Sequence, residues 1–233
     1  MSKVMIITGT RKGIGRFLVD RYVEQGYIVA GCSRQPFDGA LPEGYHHYCV
    51  DVTNERDSVS MVRDVARDLG VPAVLINNAG IATMNHLLLT PLSTLQKIFA
   101  TNVYGTFVYM REVAKLMSAA RYGRIVNFAT VATPLNLEGE AGYAASKAAV
   151  ESLTRIAARE LAAFNITVNA VGPTPVLTDL IKGVPKQKMD SLIARQAIPR
   201  IGEPRDVANV IDFLISQDSD FVTGQTIYLG GIS

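Results

Sequence analysis

The chain has 233 residues, of which 48% are hydrophobic and 19% charged, and its formal net charge is +2. That composition is enough to bury a sizeable core and excludes a disordered chain. So small a net charge gives no global field favouring nucleic acid or an anionic membrane.

The N-terminus passes from Met1-Ser2-Lys3 straight into Val4-Met5-Ile6-Ile7 with no small-residue cleavage site after it, and no apolar run is long enough to span a bilayer. A soluble cytoplasmic protein is the expectation. Cys32 and Cys49 match no metal-ligand spacing and read most simply as reduced thiols, with a disulfide left open. In chain order, β-branched runs predict strands at Val4 to Thr8, Ile28 to Cys32, His46 to Val50, Ala73 to Asn77, Arg124 to Phe128, Thr167 to Val171 and Thr226 to Leu229. Helical stretches lie between them at Ile14 to Gln25, Glu55 to Leu69, Ser93 to Met117, Tyr143 to Phe164 and Pro204 to Ser216. Strands apolar at nearly every position suit a parallel sheet covered on both faces. The strict alternation predicts an α/β fold: a doubly wound (Rossmann) parallel sheet of seven strands, helices on both faces, as a single domain over 1–233. Only 173–199 breaks the rhythm, with four prolines and short helical pieces at Leu177 to Lys182 and Lys186 to Gln196. An insertion of that length reads as a substrate-binding lid.

Between the first strand and the first helix stands Thr8-Gly9-Thr10-Arg11-Lys12-Gly13-Ile14-Gly15. Glycines there let backbone approach a pyrophosphate, and the helix N-terminus offers free N–H groups to it. Gly9, Thr10, Arg11, Lys12, Gly13, Ile14 and Gly15 are therefore candidate cofactor-binding residues. A carboxylate at the end of the second strand would bond the ribose 2′-hydroxyl of NAD and repel a 2′-phosphate. Gly31-Cys32-Ser33-Arg34 has none. Arg34 can fork onto a 2′-phosphate, Ser33 can donate to it and Lys12 supplies a second cation, so the expected cofactor is NADP(H). The bland alternative makes Arg34 a solvated loop residue.

Three further segments are Asn77-Asn78-Ala79-Gly80, Tyr143-Ala144-Ala145-Ser146-Lys147 and Asn169-Ala170-Val171-Gly172-Pro173. With the glycine turn, they resemble the classical short-chain dehydrogenase/reductase family, over residues 4 to 232, and within it the 3-oxoacyl-[acyl-carrier-protein] reductases. The resemblance implies that Asp51 and Val52 flank the adenine and that Asn78, Ala79 and Gly80 lie along the adenosine ribose. It also implies that Pro173, Val176 and Thr178 adjoin the nicotinamide side. Asp51 also reads as a helix cap before Glu55. The family's catalytic serine falls at Thr130, thirteen positions before Tyr143, which keeps the hydroxyl and adds a methyl. Asn102 matches the asparagine whose backbone carbonyl helps hold a relay water to Lys147.

Tyr143 and Lys147 are four apart and share a helix face. A free phenol titrates near about 10, and lowering it by about three pH units takes roughly 4 kcal/mol of differential stabilisation, which a close ammonium in a dry site can supply. Tyr143 is then the acid in reduction and the base in oxidation, while Lys147 also holds the nicotinamide ribose hydroxyls. The expected activity is NADPH-dependent reduction of a ketone, a 3-oxoacyl thioester or other small carbonyl. The alternative is an NADP-dependent dehydrogenase of an alcohol or sugar derivative, and a remote one is a non-catalytic NADP(H)-sensing protein.

His46 and His47 are adjacent, point to opposite faces of a strand and cannot share a metal ion, so they read as surface or packing residues. No metal is expected. Small residues on the helix from Tyr143 (Ala144, Ala145, Ala148, Ala149) suit a homo-oligomer interface, dimer or homotetramer as in the family, or ordinary core packing. Lys182, Lys186, Lys188, Arg195 and Arg200 against Asp179 and Asp190 form either an attractor for an anionic substrate or a solvated basic surface. Arg121 matches one basic residue that carrier-protein reductases present, and Phe164 replaces the other. Thr174-Pro175 replaces the usual glycine-containing pair after Pro173.

Overall fold

The computed structural model describes residues 3–178, 181 and 183–232. Seven parallel strands form one sheet in the order β3-β2-β1-β4-β5-β6-β7: β1 Val4–Thr8, β2 Ile28–Ser33, β3 Tyr45–Cys49, β4 Val74–Asn77, β5 Gly123–Phe128, β6 Ile166–Gly172 and β7 Thr226–Tyr228. The helices are α1 Gly13–Glu24, α2 Glu55–Asp68, α3 Leu92–Phe99, α4 Thr106–Ala120, α5 Ala132–Leu135, α6 Ala141–Leu161, α7 Lys186–Ala194 and α8 Pro204–Ile215.

Strand residues alternate between two cores. Val4, Ile6, Leu75, Ile125 and Val168 pack under α2, α4 and α6. Their neighbours Met5, Ile7, Ile76 and Val126 pack under α1 and α8. A strand buried on both sides has no polar face to show, hence the continuous apolar runs. The chain turns left from β1 to β2 and β3, then returns past β1 to β4, so the strand order reverses between β1 and β4. Such a switch point opens a crevice beyond the carboxyl ends of the strands.

One predicted element is three. Ser93 to Met117 reads as a single helix, but α3 and α4 are separated by a π-helical turn over Ala100–Gly105. The cause is tertiary. Gly105 lies so close to the segment after β3 that a Cβ would come within 2.9 Å of Val52 Cγ2, and the wide turn brings Asn102 fully inside. In the insertion, α7 ends at Ala194 rather than Gln196. Of the expected piece Leu177 to Lys182, residues 179, 180 and 182 lie outside the described residues.

Candidate active site

The glycine turn leaves β1 at Thr8 and enters α1 at Gly13. Gly9 has φ +75°, and a Cβ there would sit 2.9 Å from Ala79 Cα; at Gly15 it would meet the Gly9 carbonyl. Backbone therefore packs where a side chain cannot. The Asn78 amide donates to the Thr8 and Gly9 carbonyls at 2.9 and 3.0 Å, and Ala79 N donates to Thr8 Oγ1 at 3.0 Å. No side chain caps the N-terminus of α1 and its first turn carries no acid, which leaves backbone donors and a partial positive charge facing the crevice. A cleft of about 470 Å³ runs along this turn, lined by Gly9, Arg11, Lys12, Gly13, Ile14 and Gly15, by Ser33 and Arg34, by Asp51 and Val52, and by Asn78, Ala79, Gly80 and Thr178. The turn and its open donors fit a dinucleotide pyrophosphate.

Several of the expected residues have their side chains engaged within the protein. Thr10 is fully buried, with its hydroxyl turned to the Cys32 carbonyl and the Tyr45 hydroxyl, so its side chain faces away from the cleft. Ser33 donates to the Gln35 carbonyl at 2.6 Å. Asn78 spends its amide bracing the turn. The cap of α2 is Asn54, whose side chain accepts from Asp57 N; the Asp51 carboxylate instead takes Thr53 N and Oγ1 at 3.0 and 2.9 Å. Arg11 pairs with Asp38 at 3.2 Å.

A second cavity of about 690 Å³ shares Ile14, Asn78, Gly80 and Thr178 with the first and continues over Thr130, Tyr143, Lys147, Pro173 and Val176. Tyr143 sits in the first turn of α6. Thr130, just beyond β5, is almost wholly buried and its Oγ1 accepts from Ala132 N at 3.2 Å. Lys147 Nζ donates to the Phe128 carbonyl at 2.7 Å and stands 6.0 Å from the Tyr143 ring centroid. Asn102 lines neither cavity. Its side chain accepts from Ile81 N at 2.9 Å and donates to Ile81 O and Ser146 Oγ, both at 3.0 Å. Ser146 in turn donates to the Tyr143 carbonyl at 2.7 Å. The asparagine thus ties the loop after β4 to the turn that carries the tyrosine.

Burial works against the expected acidification of the phenol. Burial pushes Tyr143 up to about 12, with the Thr130 hydroxyl opposing the rise and the Glu140 carboxylate adding to it. Burial pulls Lys147 down to about 8, and the Glu151 carboxylate resists. Desolvation favours the neutral form of each group and is the largest influence on both. Glu151 was not singled out from the sequence, although its place four residues after Lys147 on the same helix face was the available signal. Glu138 and Glu140 on the cavity wall were also missed, as were the apolar Met84, Leu137, Met189 and Leu192. Of the basic residues in the insertion, Lys188 and Arg195 line the cavity. Arg200 is bound to Asp206 at 2.6 and 2.9 Å. Asp179 and Lys182 lie outside the described residues. Among the described residues no cluster is arranged to hold a metal ion, and no helix is long and apolar enough to cross a membrane.

The family model described as enoyl-(acyl carrier protein) reductase matches residues 9–232. A 3-oxoacyl-[acyl-carrier-protein] reductase, FabG, of Staphylococcus epidermidis is 32% identical over 99% of this chain and 98% of its own. Among solved structures, ElxO with NADP bound is 30% identical, with TM-score 0.90 over 98% of this chain and 97% of its own. A 4-hydroxyisoleucine dehydrogenase complexed with NADH is 27% identical, with TM-score 0.88 over 100% of this chain and 99% of its own.

Proposed function

The chain belongs to the short-chain dehydrogenase/reductase family of oxidoreductases, and on that premise we propose that it reduces a ketone to an alcohol with NADPH, Tyr143 delivering the proton. The observation that carries this reading is the continuity of the two cavities: the glycine turn and Arg34 line one, the Thr130, Tyr143 and Lys147 side chains the other, and Ile14, Asn78, Gly80 and Thr178 belong to both. When bound, the nicotinamide supplies the hydride. Tyr143 is held protonated and can hand its proton to the developing alkoxide. Thr130 offers a hydrogen bond to the same oxygen. Lys147 holds the ribose hydroxyls and replenishes the phenol. Arg34 and Lys12 on the adenosine side favour the 2′-phosphate, and the similar ElxO structure has NADP bound.

The cavity wall is mainly apolar, with Glu138, Glu140, Lys188 and Arg195 among its lining residues, which suits a carbonyl on an apolar body with a polar end. The insertion 173–199 acts as its lid. A carrier protein as partner has less support. Arg121 is in the left-handed region, φ 51°, and its guanidinium is engaged by the Ala163 carbonyl at 3.0 Å. The protein works in this reading in the cytoplasm as a homo-oligomer, dimer or tetramer. Exposed Tyr104 and Phe107 on the π turn and α4, and Ile156 on α6, supply apolar surface for it.

The test is consumption of NADPH across a panel of 3-oxoacyl thioesters, cyclic ketones and keto-sugars, followed by its absorbance. At least one class is turned over, and Tyr143→Phe lowers kcat by roughly 10²–10⁴-fold. Turnover that survives the substitution overturns the assignment of the acid. If the panel yields nothing while NADP+ is reduced by an alcohol, the dehydrogenase alternative replaces this reading.

A further inference from the structure

Beneath the loop that carries Arg34 lies a row of hydrogen bonds that cofactor binding by itself leaves unused. Thr10 Oγ1 is 2.6 Å from the Tyr45 hydroxyl, which is 2.7 Å from His47 Nδ1. On the other side of the ring, His47 Nε2 is 3.0 Å from the Gln35 carbonyl and 3.2 Å from Ser33 Oγ. A carbonyl can only accept, so the proton of the neutral imidazole is on Nε2, and Nδ1 accepts from Tyr45. The row then runs in one direction, from Tyr45 through the imidazole to Gln35.

The sequence makes room for this row. Tyr45 and His47 are two apart on β3 and share a face. His47 is in register with Gly31 of β2, and a Cβ on Gly31 would come within 2.6 Å of both Thr10 Cγ2 and the Tyr45 hydroxyl. The Phe37 ring closes over the pair, 5.0 Å from Tyr45 and 5.7 Å from His47 by centroids, with the Arg16 guanidinium 4.0 Å from the Phe37 centroid. The segment after β2 is thereby folded back onto β3 instead of trailing into solvent.

We propose that His47 is a positioning residue for cofactor selection, clamping Ser33 and Gln35 on either side of Arg34 so that the guanidinium is presented to the 2′-phosphate. This rests on the NADP(H) reading above. Arg34 is exposed and lines the adenosine end of the cleft, so its own contacts do little to order it. An arginine on a loose loop loses backbone and side-chain freedom when it meets a phosphate, and a loop ordered beforehand does not. The benefit falls only on ligands that carry the phosphate. The far end of the row reaches Thr10 in the glycine turn, so the pyrophosphate cradle and the 2′-phosphate selector are held as one unit.

Calorimetric titration of the full chain with adenosine 2′,5′-bisphosphate and with 5′-AMP tests this. The wild type prefers the bisphosphate. His47→Leu lowers that preference about tenfold while the affinity for 5′-AMP stays within about twofold. His47→Gln, which restores an N–H donor toward Gln35, brings the preference back to within about threefold of wild type. Tyr45→Phe, which takes the donor from Nδ1, lowers it severalfold and carries the test if His47→Leu does not fold. A wild type without preference overturns both the NADP(H) reading and the clamp. A preference that survives His47→Leu, or in its place Tyr45→Phe, overturns the clamp alone, as does a parallel loss of affinity for both probes.

Discussion

At Tyr143 and Lys147 the same burial acts in opposite directions, raising the phenol to about 12 and lowering the ammonium to about 8. The phenol is therefore protonated across the neutral range, and the lysine is the group whose charge changes there. Below about 8 the ammonium is present, and it is lost as pH rises through that value. Ketone reduction is expected to hold level up to that point and then fall, measured as kcat/KM against pH. Lys147→Arg, whose charge does not titrate in this window, removes the fall in whatever activity it retains; a wild-type plateau reaching about 10 would contradict this assignment. At Thr130 the hydroxyl and not the methyl matters: Thr130→Ser keeps activity within about threefold, and Thr130→Val loses about 10²-fold in kcat. Spacing puts Tyr143 and Lys147 on one helix face, because positions four apart share it, while Thr130 came into view only through the family resemblance. The balance of proton affinities between Tyr143 and Lys147 was not legible in the sequence. It depends on burial and on Glu140 and Glu151, whose contributions appear only once α6 is packed against β5 and β6.

Strands were legible almost to the residue because a run such as Val4-Met5-Ile6-Ile7 has no reading other than burial on both sides. The helices α1, α2 and α8 were nearly as clear, with Glu203 and Asp206 of α8 forming a capping box. The break between α3 and α4 was not visible. Six residues of π turn leave no periodic signature, and Thr101-Asn102-Val103 is compatible with an ordinary helix. What opens the turn is the approach of Gly105 to Val52 and the three hydrogen bonds of Asn102. Asn102→Ala removes those three bonds, one of them from a fully buried side chain to Ser146, so a loss of about 1–3 kcal/mol in urea denaturation is expected. A change under about 0.5 kcal/mol would show that the turn forms without its asparagine.

Across the whole molecule, the reversal of strand order between β1 and β4 sets the cleft, and the two cavities lie along it from Arg34 to Arg195. The sequence led to the cofactor half, whose residues are compact in the chain around 9–15 and 33–34. It was nearly silent on the substrate half, where Met84, Leu137, Met189 and Leu192 come from separate segments that no local pattern connects. Apolar Tyr104 and Phe107 are exposed, at 61% and 43%, and the proposed oligomer would cover them. Sedimentation should give a dimer or tetramer for the wild type and a smaller species for a Tyr104→Glu, Phe107→Glu double variant; a wild-type monomer would rule the interface out. The most direct measurement is a crystal structure of the protein with NADP+ and an unreactive ketone analogue. The account predicts the 2′-phosphate against Arg34 and the analogue's oxygen within about 2.6–3.2 Å of the Tyr143 hydroxyl, beside the nicotinamide ring. A nicotinamide directed away from Tyr143 would contradict it.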